Sequence, residues 1–261
     1  MSVCRYYRRT RRTHSDTLIK MSLFPYKKRV AIIVSSVGFH WEELAAAYKV
    51  LVESNVEVKF FTPSGNAVAA DPHSLIPRKY LSYLGMGSPL EIAPTSEFGK
   101  NLWHNLKLAR PIVEMNSDDF SGLYLPGGHG CLFDVNTNPV LHNRILAFYQ
   151  SKKPLAGVCH ATSTFAYVQN QGVFIVEGKY LTGFPDLIDN LLIKFNAIDP
   201  KFLPIPFSND GKIIASNAKN PISQRLMACL NPSFTVVDPP FITGVGPKAS
   251  ALVAQELITY L

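Results

Sequence analysis

The stretch LAGVCHATS sets Cys159 beside His160 at the end of a short apolar run. A thiol and an imidazole are the minimum pair for covalent catalysis, a sulfur nucleophile and a base to take its proton. A strand that turns abruptly into a helix exposes the residue at the corner to free backbone N–H groups. Helix N-termini favour negative charge, so a thiol placed there is expected to ionise below its ordinary value of about 8.5. The inert alternative is packing, since cysteine is among the most buried residue types. His160 reaches Cys159 only if the backbone makes a tight elbow; otherwise it is a surface or supporting histidine.

A second signal agrees with the first. LPGGHG supplies Gly127 and Gly128, a turn without side chains where a backbone N–H could approach an oxyanion forming beside the thiol. Glu42 and Glu43 open an early helix, and a carboxyl held there could hydrogen-bond the thiol or shuttle a proton. Their bland role is to complement the helix dipole. His129 reads as a loop hydrogen-bonder rather than a metal ligand, and Cys131 as packing. His40 and Trp41 either line a cleft mouth or pack where the helix begins. The four cysteines show no CxxC spacing, which argues against zinc.

The elements that would position these residues alternate. RVAIIVSS (29–36) is a β-branched apolar run, as in a strand buried on both faces. WEELAAAYKVLVES carries Leu44, Ala47, Tyr48 and Leu51 at helical spacing, and VEVKFFTPSG follows as a second strand. GLYLPGGHG is a strand running into glycines, and Asn138–Pro139 starts a helix with Leu141, Ile145 and Phe148 on one face. PLAGVC is the next strand, followed by a helix bearing Ala161, Phe165 and Val168. KYLTGF is expected as another strand, and ASALVAQELITYL as a final helix. This order predicts a mostly parallel, doubly wound α/β sheet in one domain from residue 29 to 261, with ligands bound beyond the strand C-termini. Residues 66–121 read as a loop-rich insertion that could form a lid, and residues 195–240 show no clear period.

Composition narrows the function. The chain has 261 residues, 47% of them hydrophobic, enough for a sizeable core. No apolar run approaches the eighteen residues a membrane span needs, so no membrane role is expected. Residues 1–28 hold eight Lys or Arg against Asp16 alone, so the formal +7 sits there and the remainder is neutral. A neutral body offers no footprint for phosphate, which argues against nucleic acid. The basic segment reads as a disordered tail in a cytoplasmic protein, the alternative being a mitochondrial targeting peptide.

Three stretches in this order, LPGGHGCLFD, LAGVCHATS and VEGKYLTGFPDLID, resemble the ThiJ/PfpI superfamily. Within it they resemble the branch of thirty-one-kilodalton heat-shock proteins with glutathione-independent glyoxalase activity, also called D-lactate dehydratase. The resemblance implies a flavodoxin-like three-layer α/β/α sandwich, no metal or organic cofactor, a small 2-oxoaldehyde substrate and a homodimer. It implies that Cys159 is the nucleophile, His160 its histidine and Glu43 the helix glutamate that contacts the thiol. Gly128 and the His160 N–H, with Gly127 beside them, would form the oxyanion site. Asp189 would be the third triad member, with Asp186 the alternative. Prolines in VDPPFITG depart from the family's glycine turn, and the basic tail has no family counterpart.

Two other functions compete with glyoxalase activity. One is a holdase chaperone binding unfolded proteins, with which the family is also associated. The other is a cysteine amidase or peptidase using the same Cys-His-acid chemistry.

Overall fold

The computed structural model describes residues 28–65, 68–75 and 89–261. The basic tail up to residue 27, and the part of the expected lid between residues 76 and 88, lie outside the described residues.

Strand β1 (Arg29–Ile33) is the apolar run read from the sequence, with Val30 to Ile33 fully buried. Helix α1 (Trp41–Glu53) and strand β2 (Glu57–Thr62) complete a βαβ unit, and β2 lies parallel to β1. On the other side of β1 lies β4 (Gly122–Leu125), then β5 (Leu155–Val158), then β9 (Phe241–Gly244), each parallel to its neighbour. Two-residue β3 (Arg110–Pro111) edges β2, and β8 (Thr235–Asp238) closes the far edge antiparallel to β9, while β6 (Gln169–Asn170) and β7 (Val173–Phe174) form a separate antiparallel pair. The sheet order is therefore β3-β2-β1-β4-β5-β9-β8. The chain reverses direction across the sheet between β1 and β4, and such a switch point opens a crevice at the strand C-termini.

Side chains alternate along each strand, so the two faces build two cores. Ala31, Ile33, Leu123, Leu125 and Leu155 pack with Leu141, Ile145 and Phe148 of the helix Pro139–Gln150. Val30, Ile32, Tyr124, Ala156, Val158 and Ile242 pack with Leu44, Ala47 and Leu51 of α1. Val253, Ala254 and Leu257 of the last helix, Ser250–Tyr260, join that second core. These are three layers, α/β/α. Asn138 caps its helix as expected, its Oδ1 accepting from the Val140 and Leu141 N–H groups at 3.0 and 3.1 Å.

Several expectations are corrected. KYLTGF is not a strand of the sheet: Tyr180 alone makes a bridge, to Lys219, because β9 occupies the slot beside β5. The Thr182 N–H instead donates to the Thr243 hydroxyl at 3.0 Å. The segment after β5 is a 3-10 helix, Cys159–Tyr167, rather than an α-helix. The 66–121 stretch holds a helix, Glu97–Leu106, and edge strand β3. Beyond residue 195 lie the helices Asn209–Ala215 and Ile222–Leu230 and strand β8. In chain order we number the helices α1, α2 (Glu97–Leu106), α3 (Cys131–Asp134), α4 (Pro139–Gln150), α5 (Asp186–Lys194), α6 (Asn209–Ala215), α7 (Ile222–Leu230) and α8 (Ser250–Tyr260).

Candidate active site

Cys159 is the first residue after β5, and its φ of +58° lies in the left-handed region that a residue with a Cβ rarely adopts. This elbow folds His160 back so that its Nδ1 stands 3.3 Å from the Cys159 sulfur. Hydroxyls and an amide pin the turn. The Thr162 hydroxyl donates to the Cys159 carbonyl at 2.8 Å, and the Ser163 hydroxyl and Asn136 amide donate to the His160 carbonyl at 3.1 and 2.9 Å. The Thr164 hydroxyl donates to Asn136 Oδ1 at 2.9 Å. Side chains that compete for backbone carbonyls disfavour a regular α-helix, which accounts for the 3-10 turn. The run ATST carried that signal; Asn136 gave none in the sequence.

Asp189, in the first turn of α5, reaches His160 Nε2 with Oδ2 at 2.8 Å. With Nε2–H donated to the carboxylate, Nδ1 offers its lone pair to the thiol. Asp186 does something else. The Asp210 N–H donates to its Oδ1 at 3.2 Å while the Asp186 N–H donates to Asp210 Oδ2 at 3.1 Å, a reciprocal clasp between the starts of α5 and α6.

Glu43 is fully buried. Its Oε2 accepts the Gly127 N–H at 2.7 Å, while Oε1 is buried without a hydrogen-bond partner. Gly127 therefore holds the glutamate and has no N–H left for an oxyanion, which corrects the expected role. The N–H groups of Gly128 and His160 both approach the Cys159 sulfur. Neither glycine could carry a side chain. A Cβ at Gly127 would lie 2.7 Å from Cys159 Cβ, and one at Gly128, whose φ is +109°, would lie 2.6 Å from the Gly38 carbonyl oxygen.

Burial pushes the Glu43 carboxyl up to about 8, against hydrogen bonds from Cys159 and Gly127, so at neutral pH it carries a proton. Burial also pushes the Cys159 thiol up, and any charge on Glu43 pushes it further. The expected spontaneous ionisation at a helix N-terminus is thus not what the fold supplies; the proton must leave through His160. Asp189 is the reverse case: burial opposes its charge, but His160 and His129 together hold it well below the ordinary carboxylate range.

His129 joins this chain, its Nε2 3.2 Å from Asp189 Oδ1 and its Nδ1 3.8 Å from Asp71 Oδ2. His129, His160 and Asp189 offer donor atoms within 4.8 Å of one another, a spacing that could surround a metal ion, but those atoms are committed to hydrogen bonds among themselves. His40 supplies the backbone N–H that meets the Gly127 carbonyl at 2.9 Å, and Trp41 is core. Cys131 is buried packing, its thiol donating to the Pro126 carbonyl at 3.4 Å. The Phe184 ring lies 4.8 Å from that of His160. An open cavity of about 700 Å³ borders Asp189 and Asp186, walled by Ile193, Leu203, Pro204, Ile205 and Phe207. Asp71, Asn136 and Phe184 were not found from the sequence.

The sequence pattern of the DJ-1/PfpI family matches residues 28–228, which include the elbow, the glycine turn and the glutamate helix. The chain belongs to the DJ-1/PfpI family. Among curated family proteins, the glutathione-independent glyoxalase hsp3101 of Schizosaccharomyces pombe is 26% identical over 85% of this chain and 87% of its own length. Glyoxalase 3 of Candida albicans is 24% identical over 92% of this chain and 96% of its own. The crystal structure of glyoxalase III from Candida albicans superposes with a TM-score of 0.68 at 20% identity, covering 90% of this chain and 97% of that one. The flavodoxin-like sandwich of the family is thus the fold of this chain.

Proposed function

We propose that the protein is a glutathione-independent glyoxalase that converts methylglyoxal to D-lactate. The observation that carries this is the Cys159–His160–Asp189 chain, with Glu43 held protonated beside the same sulfur. The names and extents of similarity of the family members above support the substrate class, a small 2-oxoaldehyde.

His160 Nδ1 takes the thiol proton as Cys159 attacks the aldehyde carbon; the new C–S bond turns the carbonyl into an oxyanion facing the Gly128 and His160 N–H groups. Protonation of that oxygen gives a hemithioacetal. Removal of the proton from the same carbon forms an enediolate, and its return at the neighbouring carbon leaves a thioester of lactate. Water then cleaves the C–S bond and restores the thiol, so methylglyoxal and one water become lactate with no net oxidation. Glu43 and His160 are the groups within reach to move these protons, and Asp189 keeps His160 in the tautomer with Nδ1 free. In an assay without glutathione, the protein is expected to consume methylglyoxal and release lactate, and Cys159→Ala to abolish both.

Exposed apolar stripes favour a second property. Ile222, Leu226 and Leu230 recur on α7, and Leu187, Leu191 and Phe195 along and just past α5, all exposed to solvent. They support either holdase binding of unfolded chains or burial in a homodimer. A Cys159→Ala protein is expected to keep any aggregation suppression while losing lactate formation.

A further inference from the structure

The triad carboxylate serves two imidazoles. Asp189 Oδ2 meets His160 Nε2 at 2.8 Å and Oδ1 meets His129 Nε2 at 3.2 Å. The two rings lean on each other with centroids 4.6 Å apart, and the outer face of His129 stacks on Phe202 at 6.0 Å. Behind His129, Asp71 Oδ2 approaches Nδ1 at 3.8 Å. Asp71 is itself fixed, its Oδ1 accepting the His73 N–H at 2.9 Å. His129 thus sits between two buried carboxylates from different parts of the chain, one of them the acid on which His160 depends.

We propose that His129 is a positioning residue for the proposed glyoxalase reaction, a cation that shares Asp189 with His160 and sets the pH at which the Cys159–His160 pair becomes reactive. Burial alone would strip the proton from His129, but the hydrogen bond to Asp189 and the nearby negative charge of Asp71 outweigh it and hold it at about 9. The other groups facing the pair are accounted for. Burial pushes His40 down to about 4, so it is neutral, and Glu43 carries its proton. His73 lies on the outer side of Asp71, and Lys201 sits 4.6 Å above the Phe202 ring. Among these described groups, His129 and Asp189 are the charges in contact with His160.

The sign follows from charge alone. When the Cys159–His160 pair passes from its protonated to its reactive form it loses one positive charge, whether the product is thiol with imidazole or thiolate with imidazolium. A cation held beside it favours that loss, and an anion opposes it.

The test uses the full-length protein and does not depend on catalysis. The rate of Cys159 alkylation by iodoacetamide is followed against pH by mass spectrometry of the Cys159 peptide, alongside the pH profile of methylglyoxal consumption. His129→Gln keeps a polar side chain but removes the charge, and is expected to move the acid limb upward by about one pH unit. Asp71→Asn removes an anion while Asp189 still holds His129 charged, and is expected to move it downward. Opposite shifts support the proposal; a structural role would slow both variants without moving the limb, and unmoved limbs in either folded variant overturn it. The proposal rests on the glyoxalase reading for its reaction, but the alkylation profile stands alone. Wild-type protein inert to methylglyoxal would sink the activity and leave the alkylation result to decide the role of His129.

Discussion

Cys159 is 4% exposed, and burial keeps its sulfur protonated at rest. Reactivity therefore comes from proton transfer to a base 3.3 Å away rather than from a standing thiolate. Glu43 has the opposite assignment, a carboxyl that must stay neutral to sit beside that sulfur. A group raised from 4.5 to about 8 on folding contributes stability that is fully present below the unfolded value and is lost as pH rises through 8. Wild type is thus expected to lose stability between pH 5 and 8 relative to Glu43→Gln, as read by urea denaturation at both pH values. A flat difference would contradict the buried neutral acid. The same variant is expected to lower kcat by about 100-fold or more, since glutamine cannot move a proton. Gly127→Ala drives a methyl against Cys159 Cβ and Glu43 Oε2. Displacement of about 1 Å at both groups is expected to lower kcat by about 100-fold with little change in KM, as measured by steady-state kinetics.

At the scale of elements, α5 must hold Asp189 within 2.8 Å of His160, and its first turn is fastened by the Asp186–Asp210 clasp. Asp186→Ala removes the acceptor for the Asp210 N–H, with an expected stability loss of about 1 kcal/mol. It is also expected to lower kcat by about tenfold while leaving aggregation suppression alone. Unchanged kcat would show that α5 is held by packing instead. The elements that were legible in the sequence are those whose pattern is local: β1 as a β-branched run, α1 by its helical spacing, α4 by Asn138 and Pro139. KYLTGF had an equally good strand composition, but β9 fills the place beside β5, a competition decided by residues sixty positions away. Helix α2 carried a readable stripe in Phe98, Leu102 and Leu106, masked by Gly99 inside it. That glycine is there because a Cβ would lie 2.1 Å from the Ala93 carbonyl oxygen. Of the site, Cys159, His160 and the pair Glu42 and Glu43 stood out by type and position after a strand, and the choice of Glu43 came through resemblance. Asp189 came through resemblance, and Asp71 could not be seen because nothing local links it to a glycine turn fifty-eight residues later.

At the scale of the whole molecule, the reversal of strand order between β1 and β4 opens the crevice where α1, the glycine turn and the Cys159 elbow meet. Glu43, the Gly127–Gly128 turn and the Cys159–His160 elbow, three stretches far apart in sequence, thereby converge on one sulfur, and the excess positive charge lies in the first 28 residues, away from this chemistry in the sequence. The fold places a thiol, an imidazole, a carboxylate and a neutral acid in one buried line. Turnover of methylglyoxal without glutathione, with chiral analysis of the lactate formed, tests that assignment most directly. Wild type is expected to give D-lactate and Cys159→Ala none. Equal turnover by the two proteins, or no lactate from folded wild type, would contradict the assignment.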